Sequence, residues 1–449
     1  VFKIGLLGLG TVGTGVVEVL AEPQGRHPLL RELILERVGV RSLDKPRPKG
    51  LGAEQLTTDL MSIVRDPSID IVVEVIGGLE PARTLILEAI RQGKHVVTAN
   101  KAVLARYGEE IFTAAKKFGV YVMLEAAVAG GIPVIQPLKQ SLGGNRVHTV
   151  TGILNGTTNY ILTRMQNEGG DFATILADAQ RLGYAEADPS TDVDGLDAAD
   201  KIAILASLAF CGRIKLDQIY CEGIRQISAV DIAYAAKLGF VIKLLAIARC
   251  PELKATGQVP DPSAGGLPKL EVRVHPTLIP VSHPLATVNG VYNAVLIEGE
   301  PLGQVMFVGP GAGSGPTASA IVADLINIAA LLKAGLIEER SSAMLDTHPL
   351  LTCSHEHYAP VAPITELFTR FYVRFWAEDH PGVLGKLGTC FGNYGISLES
   401  LVQNDVQGSR AEIVVVTHEV CEGAFHQALD EIRSLDVVQS VPSLLRVLS

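Results

Sequence analysis

Residues 2–8 (FKIGLLG) form a short apolar run that meets Gly8, Gly10 and Gly13. The pattern then shifts to the helical spacing of Val16, Val17, Val19 and Leu20. Residues 33–40 predict a second strand, and the near-continuous apolar run 69–76 (IDIVVEVI) reads as a strand buried on both faces. Gly77-Gly78 turns the chain, Pro81 opens a helix with Leu85, Ile86, Ala89 and Ile90 on its apolar face, and Gly93 ends it. Strands at 95–98 and 120–124 follow. Strands alternating with helices predict a doubly wound parallel sheet.

Beyond residue 147 the alternation loosens. A helix at 171–182, apolar helical and strand-like sequence at 230–249, and strands at 270–275, 294–298 and 305–308 predict a mixed α+β region with a subunit interface. A second glycine-rich turn, residues 309–315 (GPGAGSG), precedes a helix at 316–332 that returns to complete the first domain. Residues 341–368, rich in Pro, Ser and His, read as a linker. Residues 371–377 alternate with period two. A helix to 391, strands at 396–403 and 411–417, a helix at 423–435 and a last strand then give βαββαβ, an antiparallel sheet with two helices on one face. The expected domains are 1–130 with about 310–340, 131–309, and 369–449.

Composition narrows the class. The length of 449 residues and 47% hydrophobic content suit about three globular domains. A formal charge of -10 argues against nucleic acid and points to small-molecule partners. The apolar region 235–250 is broken by Lys237 and Lys243 and is too short to span a bilayer, so no membrane partner is expected. The opening residues read as a strand rather than a signal peptide, and position 1, which is not Met, leaves a short leader open. Six cysteines without a C-x-x-C pair suit the reducing cytoplasm. Cys353, His355 and His357 alternate without a fourth ligand, which is poor zinc spacing.

The chemistry concentrates in residues 183–201 (GYAEADPSTDVDGLDAADK), where six carboxylates and one lysine run into an apolar helix. Asp194 reads as its N-cap, and Asp197 and Lys201 fall on one helical face. A lysine facing Glu186, Asp192 and Asp197 suits transfer of a proton at one end of an amino-acid substrate; a capped helix with a surface ion pair is the plainer alternative. The GLGTVG turn at 8–13 suits a pyrophosphate on a helix N-terminus. Arg41, with Ser42, Lys45 and Arg47, follows the second strand and favours the 2′-phosphate of NADP, while Asp44 leaves NAD open. Lys101 stands at a strand's carboxyl end, where such sheets bind ligands. Thr157, in the NGTTNY run at 155–160, offers a hydroxyl to a carboxylate or caps its helix.

Together the GLGTVG turn, TANK ending at Lys101, EAAVAGGIP at 125–133, NGTTNYI and the acidic stretch resemble homoserine dehydrogenases in family order, with a C-terminal region similar to an ACT domain. The resemblance implies a Rossmann-like nucleotide-binding domain, a mixed substrate and dimerisation domain and an ACT-like regulatory domain. The implied reaction interconverts L-aspartate 4-semialdehyde and L-homoserine in threonine, methionine and isoleucine biosynthesis. It implies Lys201 as proton donor and acceptor, assisted by Lys101. Glu186, Asp192, Asp197, Gly156, Thr157 and Tyr184 are the implied substrate residues, and Gly8, Gly10, Thr11, Val12, Gly13, Arg41, Lys101 and Gly311 the cofactor residues. It also implies a sodium or potassium site on the backbone oxygens of Glu125, Val128, Gly130 and Ile132. An amino-acid effector, threonine foremost, is implied near Asp379, Gly382, Asn393 and Gln403, together with a homo-oligomer, dimer or tetramer. A catalytically silent amino-acid sensor and a dehydrogenase of another small amino-acid aldehyde remain the rival readings.

Overall fold

The computed structural model describes residues 1–48, 50–256, 267–334, 357–407 and 410–448. Most of the predicted linker, including Cys353 and His355, lies outside the described residues. In chain order the elements begin with β1 (Phe2–Leu7), α1 (Thr11–Ala21), β2 (Leu33–Gly39), β3 (Leu56–Thr57), α2 (Leu60–Arg65), β4 (Ile71–Glu74), α3 (Ala82–Arg91) and β5 (His95–Thr98). Next come α4 (Lys101–Phe118), β6 (Val122–Met123), α5 (Ile135–Lys139), β7 (Arg146–Ile153), α6 (Gly156–Glu168), α7 (Phe172–Arg181), α8 (Ser190–Val193) and α9 (Leu196–Ala209). The middle continues with β8 (Tyr220–Cys221), α10 (Ala229–Lys237), β9 (Phe240–Arg249), α11 (Pro251–Thr256), β10 (Glu271–Pro280), β11 (Tyr292–Glu300), β12 (Gly303–Pro310) and α12 (Ser314–Lys333). The last stretch holds β13 (Phe368–Glu378), α13 (Val383–Asn393), β14 (Leu398–Gln407), β15 (Arg410–Thr417), β16 (Val420–Cys421), α14 (Glu422–Arg433) and β17 (Val438–Val447).

The chain forms two compact units, residues 1–150, 200–216 and 293–359, and residues 151–199, 217–292 and 360–449. In the first, a six-stranded sheet runs β3-β2-β1-β4-β5-β6, every pairing parallel. Strand order reverses between β1 and β4, which opens the crevice where such sheets bind ligands. Ile4, Leu6, Val16 and Ile71 share one core with Ala318, Ile321, Leu325 and Ile328 of α12. Gly15 is what lets α12 approach α1, since a Cβ there would stand 2.6 Å from the Ser314 hydroxyl and 3.0 Å from the Ala318 methyl. Among the described residues α12, not the 235–250 region, is the helix long and apolar enough to cross a membrane; half of it is buried in the protein, as for a core helix.

In the second unit the strands run β9-β10-β17-β13-β15-β14. β13, β14, β15 and β17 pair antiparallel around the β13-α13-β14-β15-α14-β17 order predicted from sequence. Their apolar faces close on α13 and α14 through Phe371, Phe375, Phe391 and Phe425. β17 also pairs in parallel with β10, setting Thr277 beside Arg446. A buried guanidinium reinforces this join: Arg374 of β13 reaches Asp231 of α10 at 2.8 Å and Glu412 at 2.8 Å. Lys243 of β9 is buried too, donating to the carbonyl of Val288 at 2.7 Å and to Oδ1 of Asn289 and Asn159 at 2.9 and 3.0 Å. Burial pushes its ammonium down to about 8.

Candidate active site

The glycine turn between β1 and α1 is as tight as the sequence predicts. Gly8 has φ 107°, and a Cβ on Gly13 would stand 2.1 Å from the Gly8 carbonyl oxygen. Gly10 precedes the first turn of α1, begun by Thr11 and Val12, where unpaired backbone N–H groups face outward. A cleft of about 600 Å³ opens over this turn. Gly8, Leu9, Gly10, Val75, Ile76 and Gly77 line one part; Arg41, Ser42, Lys45 and Arg47 supply a basic wall. Asp44 is not among the lining residues, and its carboxylate turns back on the Ser42 hydroxyl. Gly311 lies under the left-handed Gly130, whose added Cβ would meet the Gly311 carbonyl oxygen at 2.3 Å.

Lys101 is the first residue of α4. Asn100 caps that helix through its Oδ1, which accepts from the Val103 N–H at 3.2 Å, and its amide donates to the Gly78 carbonyl at 2.8 Å. The cap holds the lysine at the carboxyl end of β5.

The acidic stretch organises around a residue that the sequence left in the background. Asn155 is buried and caps α6 by accepting from the Thr158 N–H at 2.8 Å. Its amide donates to Asp192 at 2.7 Å and to Asp197 at 2.9 Å, joining two carboxylates that would otherwise repel. The Thr157 hydroxyl lies 2.8 Å from the Tyr184 carbonyl and 3.2 Å from Asp192. Gly156 is the first residue of α6, and the Tyr184 ring packs on Tyr160 with centroids 4.8 Å apart. The capping role that is one reading of Thr157 thus belongs to Asn155. The preference of asparagine for that position was the available signal.

Asp194 does not cap α9. Arg225 takes both its oxygens, and Gly195, with φ 85°, supplies the carbonyl for the Ala199 N–H at 2.9 Å. A side chain at 195 would also press on the Cys221 sulfur at 3.0 Å. Asp197 and Lys201 follow on α9, one turn apart and both buried, so they are not an exposed ion pair. Asp200 is held by Arg106 of α4 at 3.0 Å. Glu186 stands apart from the Asn155 cluster: it is exposed, and its backbone carbonyl accepts from Gln180 at 2.9 Å.

In the 125–132 segment the Glu125 carboxylate is fully engaged, accepting from the N–H groups of Val134, Ile135 and Gln136 at 2.6, 2.8 and 2.8 Å. Its own N–H donates to Asp324 at 2.8 Å. Burial raises the pKa of both acids. Ala129 and Gly130 are both left-handed, φ 58° and 56°, a conformation that alanine adopts only where its surroundings hold it. Val128 and Ile132 are buried on either side.

At the start of α13, Asp379, Gly382 and Gln403 meet in a cleft of about 170 Å³, where the Gln403 amide donates to Asp379 at 3.0 Å. Asn393 is not with them. It ends α13, an eleven-residue helix, and so lies about 16 Å along the axis from Gly382.

Comparison with known proteins is consistent along the whole chain. The family model for the homoserine dehydrogenase NAD-binding domain matches residues 8–125, that for homoserine dehydrogenase matches 133–326, and that for the ACT domain matches 371–437. A Synechocystis homoserine dehydrogenase is 63% identical over 447 residues, covering 100% of this chain and 99% of the relative. One from Pseudomonas aeruginosa is 42% identical over 99% of this chain and 98% of its own. The crystal structure of a homoserine dehydrogenase from Thiobacillus denitrificans superimposes with a TM-score of 0.87 at 41% identity, covering 100% and 98% of the two chains. A hyperthermophilic archaeal homoserine dehydrogenase solved with NADPH gives a TM-score of 0.60 at 27% identity over 74% of this chain and 98% of its own. With relatives aligned from end to end and a full-length fold in common, this chain belongs to the homoserine dehydrogenase family.

Proposed function

We propose that Lys201 is the group that gives a proton to, and takes it from, the substrate oxygen in this enzyme. The reaction itself follows from the family: the chain is an NAD(P)-dependent oxidoreductase of amino-acid biosynthesis that interconverts L-aspartate 4-semialdehyde and L-homoserine. The observation that carries the residue assignment is the Asn155–Asp192–Asp197 cluster, in which Asn155 and Asp197 are buried and Asp192 half-buried, with Lys201 one helical turn beyond Asp197.

The nicotinamide, when bound, supplies or accepts the hydride. As the aldehyde is reduced, negative charge grows on its oxygen; the Lys201 ammonium stabilises that charge and releases a proton to it. In the reverse direction the neutral amine removes the hydroxyl proton. Asp192 and Asp197 hold the substrate ammonium, and Glu186, exposed and outside their cluster, approaches it from the solvent side. Gly156 and Thr157, at the positive end of α6, and Tyr184 hold its carboxylate side. Lys101 assists beside the cofactor.

Gly8, Gly10, Thr11, Val12, Gly13 and Gly311 shape the pyrophosphate end of the cofactor site. The basic wall of Arg41, Lys45 and Arg47, with Asp44 turned to Ser42, supports NADP over NAD. At the 125–132 turn we read a sodium or potassium ion on the backbone oxygens of Glu125, Val128, Gly130 and Ile132, the Glu125 side chain being already spent on α5. The ion would brace the turn. The cleft at Asp379, Gly382 and Gln403 suits an amino-acid effector, threonine first, with Asn393 outside its reach in this chain. We read the enzyme as a homo-oligomer and as cytoplasmic, a compartment that the five free cysteines among the described residues suit. We divide its work among a nucleotide part (1–130 and about 310–340), a substrate part (131–309), a linker (341–368) and a regulatory part (369–449).

The test is L-homoserine oxidation followed by nicotinamide absorbance, with NADP and NAD in parallel, for the parent and Arg41→Ala. NADP should be preferred and the preference should shrink in the variant. Equal use of both cofactors by the parent would overturn the NADP reading. Added threonine should lower the rate, and an unchanged rate at saturating threonine would remove it as effector.

A further inference from the structure

Glu74 is a fully buried carboxylate at the carboxyl end of β4, and its partners are neutral donors. Burying such a group is costly unless hydrogen bonds replace its water. Its Oε1 accepts from the Ile76 N–H at 2.9 Å, and its Oε2 accepts from the Thr98 hydroxyl at 2.7 Å. The two oxygens therefore hold two different segments. Ile76 and Gly77 form a wall of the cofactor cleft, and Gly77 and Gly78 continue it through two left-handed steps, φ 74° and 73°. Thr98 ends β5, and its hydroxyl accepts from the Asn100 N–H at 3.0 Å. Asn100 then caps α4, whose first residue is Lys101, and returns a hydrogen bond to Gly78 at 2.8 Å. The ring closes: Glu74, Ile76 to Gly78, Asn100, Thr98 and back to Glu74. Glycine steps have little conformational preference of their own, so the wall keeps its shape only through what grips it.

We propose that Glu74 is a positioning residue for the reaction, tying the Ile76–Gly78 wall of the cofactor cleft to the turn that carries Lys101. The inference rests on the reading of Lys101 as a cofactor-side group for its effect on turnover, but not for its effect on cofactor binding. Without the carboxylate, both segments lose their common anchor. Cofactor affinity then falls through the wall, and turnover falls through the displaced lysine.

The experiment compares Glu74→Gln, Glu74→Leu, Thr98→Val and the Gln/Val double variant with the parent, as full-length enzyme. NADPH affinity is read by fluorescence, kcat and KM by homoserine oxidation, and folding by circular dichroism and melting. Glu74→Gln keeps an acceptor for Ile76 and should weaken NADPH about 5-fold. Glu74→Leu keeps the volume but no acceptor and should weaken it more than 20-fold. The double variant should be no worse than the poorer single one, because both remove one link. A purely structural carboxylate would lower the melting temperature while folded enzyme bound NADPH and turned over normally. NADPH affinity and kcat within twofold of the parent in folded Glu74→Gln and Thr98→Val would overturn the proposal, even if Glu74→Leu did not fold. Lys101→Ala separates the two readings. In that background Glu74→Gln should leave kcat unmoved while still weakening NADPH. If Lys101→Ala alone leaves turnover intact, the role of Lys101 fails, and the NADPH affinity of Glu74→Gln still decides for or against Glu74.

Discussion

Asn155→Ala removes four side-chain hydrogen bonds at one buried point; the one from the Thr158 hydroxyl has the residue's own carbonyl as a second acceptor, so three carry the loss. The first is the cap of α6, worth about 1 kcal/mol. The others are two charge-assisted hydrogen bonds to Asp192 and Asp197, each worth about 1.5–3 kcal/mol. Because the three share one side chain and Asp192 keeps its contact with Thr157, the losses do not sum fully; about 3 kcal/mol is expected in the urea transition that reports this unit. The functional loss should be selective. Freed from the amide, two carboxylates repel, the α6 N-terminus frays, and KM for homoserine should rise at least 10-fold while KM for the cofactor stays within twofold. Asn155→Asp keeps the cap acceptor but puts a third carboxylate beside the other two, so it should be worse for homoserine than its stability loss alone explains. Urea titration with steady-state kinetics on both variants checks this. A loss below about 1 kcal/mol for Asn155→Ala, with KM for homoserine unchanged, would refute the view that Asn155 holds the cluster together.

Lys201→Ala should cut kcat by more than 100-fold and leave cofactor affinity near that of the parent; measurable turnover close to normal would reassign the proton transfer. Gly13→Ala should abolish cofactor binding in a folded protein, since its Cβ would sit 2.1 Å from the Gly8 carbonyl oxygen, and a fluorescence titration with NADPH reads this directly. Lys243 gives a pH signature with a definite sign. Its pKa of about 8 when folded lies below the unfolded value of about 10.4, so between these the unfolded chain binds more protons and stability rises with pH. The parent should therefore gain stability relative to Lys243→Met from pH 8 to pH 10, and a constant difference in urea midpoints would place the amine's titration elsewhere. Arg374→Met leaves Asp231 and Glu412 buried without their cation and should cost about 3–5 kcal/mol, seen as an earlier urea transition.

Much of the fold was legible because its signals are local. The run that ends in Gly8, Gly10 and Gly13 is a strand, turn and helix for steric reasons contained within a dozen residues. The buried strands of the first sheet show as continuous apolar runs because both faces are covered. The acidic stretch stood out by its density of carboxylates alone. What stayed hidden depends on partners far along the chain. Asp194 looked like a cap until Arg225, thirty-one residues on, was seen to take its oxygens. Asn155 gained its role from Asp192 and Asp197, thirty-seven and forty-two residues away.

Taken alone, the sequence determined the main strands of the first sheet, the βαββαβ order of the last unit, the glycine turn, the basic residues after β2 and the family resemblance, but not the helix Lys101–Phe118. Each is written in periodicity, backbone sterics or residue type at short range. The tertiary structure alone decided which carboxylates gather around Asn155 and which are spent elsewhere. It turned Glu125 toward the N–H groups of α5, left Glu186 in solvent and moved Asn393 away from Asp379. It also joined β17 to β10 and set Arg374 between Asp231 and Glu412. The physical reason is that a side chain's chemistry depends on what replaces its water, and those groups arrive from distant parts of the chain only on folding.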